Sequence, residues 1–257
     1  LGYAAKMAFE YEFFVFKETP QSALDKGYQN LEPLSPGNFG YSTLRTFALS
    51  DLFNEYMDYC EDHGVPLEGV HCETGPGVWE AALGVDESLA AADKAARFKI
   101  LTKAFFQKRG MMATFMAKWS MDYPGQSGHL HQSLFHNETG QSVFYDANQK
   151  GGMSESMKQY VAGVQTHMKS LLAITAPTIN SYTRLVKGAW APTAATWGVE
   201  NRTCALRVIP GSENSQRVEF RVGSADANPY LTAAATLGSG LLGIEKELSL
   251  DDPVEGS

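Results

Sequence analysis

The stretch Phe9-Glu-Tyr-Glu-Phe-Phe-Val-Phe16 reads as a β-strand that carries acids on one face. Aromatic and β-branched residues favour strands, and apolar and acidic residues alternate at its start with the strand period of two. Glu10 and Glu12 therefore point to the same face. Neighbouring carboxylates repel each other and are costly to bury unless a cation balances them. The stretch predicts a solvated acidic face, a face neutralised by Lys and Arg, or a cation site.

Length and composition describe an acidic globular protein. The 257 residues suffice for one domain with a sizeable core, and 44% of them are hydrophobic. A net charge of −8 argues against a nucleic-acid or anionic-membrane partner. No apolar run approaches the roughly 20 residues that span a bilayer, and residues 1–14 lack the features of a signal peptide. Cys60, Cys72 and Cys204 are odd in number and far apart, so we expect buried thiols in a cytoplasmic protein rather than disulfides or zinc ligands.

The order of the predicted elements indicates an α+β fold. A helix is predicted from Ser42 to Cys60, after a loop at 18–41 that contains three Pro. The elements do not alternate regularly between strand and helix, as a parallel βαβ sheet would require. Further strands are predicted at 67–73, 77–83, 111–118, 128–136, 203–209 and 217–222, and further helices at 86–110, 154–175 and from Asn228 to about Leu248.

Three more glutamates lie inside strand patterns. Glu73 and Glu80 stand on the two arms of the turn at Gly75-Pro76-Gly77, which can bring them together. Glu219 lies between Val218 and Phe220. Any one of these acids alone is most simply an ordinary surface charge. Taken with the acids of the first strand, they predict a shared site.

A His-x-His pair adds imidazoles to this set. His129 and His131 are two residues apart in a predicted strand, so both rings point to one face, although a lone histidine there could simply be a packing residue. Carboxylates with an added imidazole suit Mg²⁺ or Mn²⁺ better than structural zinc. Carboxylate-held Mg²⁺ generally takes phosphate as a further ligand. The chain has no Walker-type loop, so phosphates need another source of positive charge.

Arginines in the second half of the chain can supply that charge. Arginine pairs with carboxylates or phosphates in bidentate geometry and stabilises a phosphoryl group during transfer. The same arginines could instead be salt-bridge partners of the glutamates, and some could do both. The five are Arg184, Arg202, Arg207, Arg217 and Arg221.

Five motifs in order along the chain resemble the glutamine synthetase family. They are FEYEFF (9–14), HCETGPGVWE (71–80), SGHLHQSL (127–134), NRTCALRVI (201–209) and RVEFRVGSADANPYL (217–231). Each alone is weak, but the ordered set spans nearly the whole chain. The resemblance implies a catalytic domain with a curved, largely antiparallel sheet that forms a partial barrel flanked by helices. It also implies a homo-oligomeric ring in which the N-terminal domain of a neighbour completes each site.

The chain begins without Met and ends in LSLDDPVEGS, a loop-like segment. From these ends and the resemblance, we expect residues 1–257 to be one catalytic domain truncated at both ends. The small N-terminal domain and the C-terminal helical region of the family would then be missing, and an isolated copy is expected to be inactive.

The resemblance also implies a role for each matching residue. The metal near the substrate would be held by Glu12, Glu73 and Glu80, and the metal that bridges the ATP phosphates by Glu10, His129 and Glu219. Arg184 and Arg221 would clamp the carboxylate substrate, with Gly125 as a looser backbone contact. The nucleotide side would comprise Glu68, His131, Ser133, Arg202, Arg207 and Arg217, and the catalytic set Arg202, Glu219 and Arg221.

The implied reaction is ATP-driven amide formation in nitrogen metabolism, with two or three Mg²⁺ or Mn²⁺ ions. The γ-carboxylate of glutamate attacks ATP to give an acyl phosphate, an amine attacks its carbonyl, and phosphate leaves.

The predicted flap departs from the glutamine-forming members of the family. Those members carry a glutamate, which handles ammonium, two residues before a Pro. Here the stretch is Arg184-Leu-Val-Lys-Gly-Ala-Trp-Ala-Pro192, so Trp190 occupies that place. An indole accepts no proton but can pack on an alkylamine or offer a cation–π face. The loop Gly125-Gln-Ser-Gly-His129 also lacks the asparagine that glutamine-forming members have before their His-x-His pair.

These departures favour a γ-glutamylamide or γ-glutamylpolyamine synthetase that uses an organic amine, such as a polyamine or a small alkylamine. Four alternatives remain open at this stage. Trp190 could simply pack in a drifted flap, and the protein could be a true glutamine synthetase, a non-catalytic structural or sensing relative, or a guanidino-phosphotransferase with a related catalytic fold.

Overall fold

The long strand β1 (Tyr3–Phe16) is the central element of the computed structural model, which describes residues 1–256. Its side chains alternate from Ala5 to Phe13: Met7, Phe9 and Tyr11 are buried, whereas Glu10 and Glu12 lie on the opposite, partly exposed face. The predicted acidic face of the strand is therefore confirmed. The strand begins six residues earlier than the predicted Phe9 because its first half pairs with two further strands, β4 and β6, as described below.

A nine-stranded sheet is built around β1 in the order β2-β3-β1-β6-β9-β8-β7, with β4 and β5 also paired to β1. All strand pairs are antiparallel except β7 with β8, and this path is not closed within the described residues. The expected α+β fold with a largely antiparallel sheet is confirmed. The other strands are β2 (Leu67–Cys72), β3 (Val78–Leu83), β4 (Asp86–Glu87), β5 (Met112–Thr114), β6 (Gly128–His136), β7 (Trp197–Val199), β8 (Leu206–Ile209) and β9 (Arg217–Phe220).

Within residues 1–256, seven α-helices flank the sheet. The helix α4 packs on β1, and α5 packs on α7. Phe13 of β1 contacts the rings of Phe98 and Phe106 on α4, so the main core lies on the side of β1 opposite Glu10 and Glu12. The helices are α1 (Pro20–Asp25), α2 (Thr43–Ala48), α3 (Ser50–Asp62), α4 (Ser88–Gln107), α5 (Glu155–Thr175), α6 (Ile179–Arg184) and α7 (Pro229–Glu245), and a 3₁₀ turn spans Lys150–Gly152.

Several predicted boundaries were wrong for local reasons. The predicted loop 18–41 contains α1, which Thr19 caps with a capping box ahead of Pro20. The predicted helix from Ser42 to Cys60 is two helices, because the backbone leaves the helical conformation at Leu49. The helix predicted from residue 86 begins at Ser88, since Asp86–Glu87 pair with β1. The short elements α6 and β7 were not predicted.

Among residues 1–256, none of the helices combines the length and apolarity that crossing a bilayer requires.

The helices α5 and α7 approach each other unusually closely. A Cβ atom placed on Gly163 of α5 would lie 2.2 Å from the carbonyl oxygen of Ser239 and 2.8 Å from Cα of Gly243 on α7. Such distances are shorter than any van der Waals contact, so the backbones must separate before even a methyl group fits. Gly238 on α7 faces open space instead.

This contrast predicts opposite effects for the same substitution. Gly163→Ala should lower the free energy of unfolding by about 1–3 kcal/mol through overpacking. Gly238→Ala, the matched control in an exposed helical position, should leave the free energy unchanged or raise it by about 0.5–1 kcal/mol through helix propensity. Urea denaturation followed by circular dichroism measures both, and equal effects of the two substitutions would contradict this packing.

Candidate active site

A row of polar side chains crosses the acid-bearing face of the sheet, one strand after another. On β1, Glu12 stands directly opposite Glu80 of β3, and Glu10 stands directly opposite His129 of β6. Directly opposite residues on one face bring their Cβ atoms to about 5 Å. Like charges directly opposite each other are destabilising, so the pairing of Glu12 with Glu80 does not contribute to the stability of the sheet.

The row continues on both sides of β1. Towards one edge, Glu80 faces His71 of β2. Towards the other, His131 of β6 faces Glu219 of β9, which in turn faces Arg207 of β8. Acids and imidazoles thus lie in the middle of the face, and the arginine lies on its β8–β9 side.

Three groups in this row could each hold a metal ion. His129 Nδ1 lies 3.2 Å from Glu219 Oε1 and 3.6 Å from Glu10 Oε2. On the β2 side, His71 Nε2 lies 3.4 Å from Glu73 Oε1 and 3.5 Å from Glu80 Oε1. The groups whose ligand atoms all lie within 4.8 Å of one another are Glu10–His131–Glu219, Glu10–Glu80–His129 and His71–Glu73–Glu80.

The charge balance of the face fits divalent cations. Burial raises the pKa of Glu80 well above its ordinary value, and the charges of Glu12 and Glu10 raise it further. His131 Nε2 is buried without a hydrogen-bond partner, although it lies only 3.3 Å from Glu10 Oε1. A buried polar atom without a partner and a cluster of mutually repelling carboxylates are both relieved when a cation binds between them. Oxygen-rich ligands with imidazole suit Mg²⁺ or Mn²⁺.

Two of the acids are held ionised by their neighbours. Burial alone would raise the pKa of Glu10, but the imidazoles of His129 and His131 outweigh it and hold the pKa far below its ordinary value. For Glu219, the charges of His129 and His131 likewise outweigh burial and lower the pKa. Both groups are therefore carboxylates at neutral pH, which is the form that binds a metal.

The groupings differ in detail from the two trios expected from the sequence. Glu12 belongs to none of the three groups found among residues 1–256, and its Oε2 accepts a hydrogen bond from the Ser127 amide at 2.5 Å. His71 stands with Glu73 and Glu80 instead. The signal for His71 was present in the sequence, since it lies two residues before Glu73 and thus on the same side of the chain.

The arginines approach this row from the β8–β9 side. Arg221 Nη1 lies 2.5 Å and Arg207 Nη1 lies 3.3 Å from the Glu219 carboxylate. Arg207 also pairs with the exposed Glu200. Arg217 Nε donates to His131 Nδ1 at 3.2 Å, which turns the other ring nitrogen, Nε2, toward Glu10. The sequence left open whether these arginines are salt-bridge partners of the glutamates or a source of positive charge for phosphates. These contacts are compatible with both.

Arg202 reaches the site through an aromatic pair that the sequence did not indicate. Its Nη1 donates to the Tyr41 hydroxyl at 3.4 Å, and the Tyr41 ring stacks on His71 with centroids 5.1 Å apart. Burial, followed by the nearby Glu73, raises the pKa of Tyr41 to about 12, so its hydroxyl remains protonated. No periodicity could reveal this contact, because Tyr41 and Arg202 are 161 residues apart.

Arg184 is the most buried of the five arginines, with 4% of its surface exposed. Its Nη2 donates to the carbonyl oxygens of Val222 and Gly223 at 2.6 and 3.0 Å. Burial lowers its pKa to about 10, and the charge of Glu12 works in the opposite direction. Gly125 lies against its stem: a Cβ there would be 2.3 Å from Arg184 Cγ. The structure thus places Gly125 beside the arginine that the sequence grouped with it.

A pocket of about 380 Å³ opens beside the metal-competent groups. Four residues that the sequence predicts on the nucleotide side line it: Glu68, His131, Ser133 and Arg217. Glu10 lines the same pocket and also belongs to two of the possible metal groups. Arg202 and Arg207 are not among its lining residues and lie at the row of acids instead.

Trp190 lies on the loop between α6 and β7. Its side chain is 65% exposed, and its backbone φ of 54° lies in the left-handed region, which is uncommon for a residue with a Cβ. An indole this exposed is not packed in the core of the domain. It is free to contact a ligand or another chain.

Comparison with known proteins agrees with this geometry. The family model of the glutamine synthetase catalytic domain matches residues 1–257. The type-1 glutamine synthetase 2 of Dictyostelium discoideum is 47% identical over 96% of this chain and 47% of its own length. The glutamate–isopropylamine ligase of a Pseudomonas species is 38% identical over 100% of this chain and 56% of its own.

A solved structure also resembles this chain. GmaS in complex with ADP superposes with a TM-score of 0.86 at 30% identity, over 99% of this chain and 58% of GmaS. The chain spans about half the length of the curated relatives it matches. A whole-length match to the family model, five ordered motifs and the sheet-face row of acids, imidazoles and arginines all coincide. The chain therefore belongs to the glutamine synthetase family and corresponds to its catalytic domain.

Proposed function

We propose that the protein is an ATP-dependent and divalent-metal-dependent ligase that joins the γ-carboxylate of glutamate to an amine, and that this amine is organic. The observation that carries the proposal is the row of carboxylates and imidazoles between a nucleotide-sized pocket and a group of arginines. The carboxylates and the arginines are each a cluster of like charges that is unfavourable alone. Cations and phosphates between the two clusters would balance the charge of both.

The metal ions would be held by the three groups of the row, with Glu12 orienting the loop at Ser127 or joining them as a ligand. Bound Mg²⁺ or Mn²⁺ would supply charge stabilisation at phosphoryl oxygens. The chain itself contributes the fixed acids, and Arg217 holds the His131 ring through Nδ1.

The arginines would act on the substrates. Arg202, Arg207 and Arg221 stand within or beside the row and would offset charge on a transferring phosphoryl group. Arg184 would bind the carboxylate of the amino-acid substrate, next to Gly125. In the balanced reaction a γ-carboxylate oxygen bonds to the terminal phosphorus as ADP leaves. The amine nitrogen then bonds to the carbonyl carbon, loses a proton, and inorganic phosphate leaves.

Trp190 supports an organic amine over ammonia. Its exposed indole can cover an alkyl chain or face an ammonium group, but it cannot accept a proton. The relationship to a glutamate–isopropylamine ligase points the same way. The 47% identity to a glutamine synthetase keeps ammonia as the second candidate. A non-catalytic role is less favoured, because all six residues expected as metal ligands are retained in the sequence.

We further propose a homo-oligomeric ring and a cytoplasmic location for the whole protein. Exposed apolar side chains on α2, including Leu44 at 79% and Phe47 at 78% exposure, support contact with another chain. Three buried free cysteines fit a reducing compartment.

The amine can be decided by steady-state kinetics. Phosphate release by the complete gene product should give a higher kcat/KM with at least one alkylamine or polyamine than with ammonium, because a protonated amine with an alkyl body gains contact with the indole. A higher kcat/KM with ammonium than with every amine of the panel would refute the organic-amine proposal.

Substitution of the flap residue tests whether Trp190 carries this preference. Trp190→Glu should raise kcat/KM for ammonium and lower it for the best organic amine, each by about tenfold, which is about 1.4 kcal/mol of barrier. Trp190→Phe is the matched control and should keep the preference, since it retains an aromatic face. If Trp190→Glu and Trp190→Phe gave the same ratio of the two efficiencies, Trp190 would be ordinary surface packing.

The metal assignment can be tested without any activity measurement. In metal-free buffer, Glu80→Gln should raise the Tm, because it removes one of several repelling buried carboxylates. With saturating Mn²⁺ the wild type should have the higher Tm, since ion binding stabilises the wild type more than the variant. Glu61→Gln, at an exposed position on α3, should change neither value. A Tm for Glu80→Gln that rises with Mn²⁺ as much as the wild type would show that Glu80 is no ligand.

A further inference from the structure

Asp226 accepts hydrogen bonds from three hydroxyl groups, two at the start of α6 and one on Ser224, two residues before it. Ser181 Oγ lies 3.1 Å from both of its carboxylate oxygens, and Thr178 Oγ1 lies 3.1 Å from Oδ2. Ser224 Oγ donates to Oδ1 at 2.5 Å. No role is assigned to this carboxylate by the motifs or by the metal-competent groups described above. Its partners join two segments that are distant in sequence.

Two of these hydroxyls, on Thr178 and Ser181, form the N-terminal cap of α6. Thr178 Oγ1 accepts from the Ser181 amide at 3.1 Å, and Ser181 Oγ accepts from the Thr178 amide at 3.3 Å. The helix has only six residues, which is too short to be stable by itself. Because Asp226 binds both capping hydroxyls, it fixes the first turn of the helix to the segment that follows β9.

The opposite end of α6 is attached to the same segment. Arg184 is one turn after Ser181, and its Nη2 donates to the carbonyl oxygens of Val222 and Gly223. The helix is therefore held at both ends by residues 222–226. Arg184 Nε is buried without a hydrogen-bond partner, so the Nη2 contacts are what fix the guanidinium to this segment.

Residues 222–226 are in turn fixed to the row of acids. Gly128 N donates to Gly223 O at 2.9 Å, and Ala225 N donates to Gln126 O at 3.1 Å. The intervening Ser127 amide binds Glu12. A short chain of contacts thus sets the position of Arg184 relative to the carboxylates of β1.

We propose that Asp226 is a positioning residue: it fixes α6 and thereby the Arg184 guanidinium for binding of an anionic, carboxylate-bearing substrate. The part that concerns the substrate rests on the proposed function, whereas the part that concerns the helix does not. The flap with Trp190 begins directly after α6, so the same carboxylate also sets where the flap starts.

Kinetics and calorimetry on the complete gene product test the substrate part. Asp226→Ala should raise the KM for L-glutamate and the calorimetric dissociation constant for L-glutamate by about tenfold, while the KM for ATP stays within about twofold. Asp226→Asn should restore most of the glutamate affinity, because hydroxyl groups can rotate to accept from an amide. Asp93→Asn is the matched control: Asp93 also accepts from a hydroxyl, that of Tyr230 at 2.6 Å, and its loss should leave both constants unchanged.

Amide hydrogen exchange tests the helix part independently of any reaction. In Asp226→Ala the amides of residues 181–185 should exchange at least tenfold faster, while those of α5 and α7 keep their rates. Unchanged exchange in α6, or equal changes in the KM values for glutamate and ATP, would overturn the proposal. If the wild type bound no L-glutamate, the proposed function would fail, and the exchange rates alone would decide whether Asp226 positions α6.

Discussion

Electrostatic repulsion on one face of a sheet is the constraint around which this domain is organised. Glu10, Glu12 and Glu80 meet at the centre of the face on paired strands, and Glu219 approaches from the β9 side. A face of this kind is stable only where positive groups lie among the acids. The histidines of β2 and β6 and the arginines of β8 and β9 supply part of that charge. Divalent cations are suited to supply the rest.

Apolar burial on the opposite face of the same strand offsets the electrostatic repulsion of this cluster. Phe9, Tyr11 and Phe13 alternate with the acids and pack under α4, where they are almost fully buried. The strand period of two separates an apolar side from an acidic side along one continuous segment. Acidic and apolar side chains are thus placed on the two faces of β1, and a register slip of one residue would exchange them.

Under the proposed function, substrate selectivity would reside in short elements beside the sheet rather than on the sheet itself. The acids stand on strands with many hydrogen-bonded neighbours, whereas Arg184 and Trp190 belong to a six-residue helix and the loop that follows it. A short helix depends on its caps and its contacts rather than on its own hydrogen bonds. Under the proposed function, small changes in those contacts would alter which amine is accepted while the acidic face of the sheet stays the same.

Local spacing in the sequence was enough to predict the acidic face of β1, the shared face of His129 and His131 and the α+β class, and the resemblance of five ordered motifs was enough to predict the family. Which acids and histidines lie together was set by the tertiary structure, because it depends on strand register. His71 joins Glu73 and Glu80 where Glu12 was expected, and Glu12 turns to the Ser127 amide, 115 residues away. The contacts of Tyr41 and Asp226 likewise form between distant segments, so no periodicity in the sequence could show them.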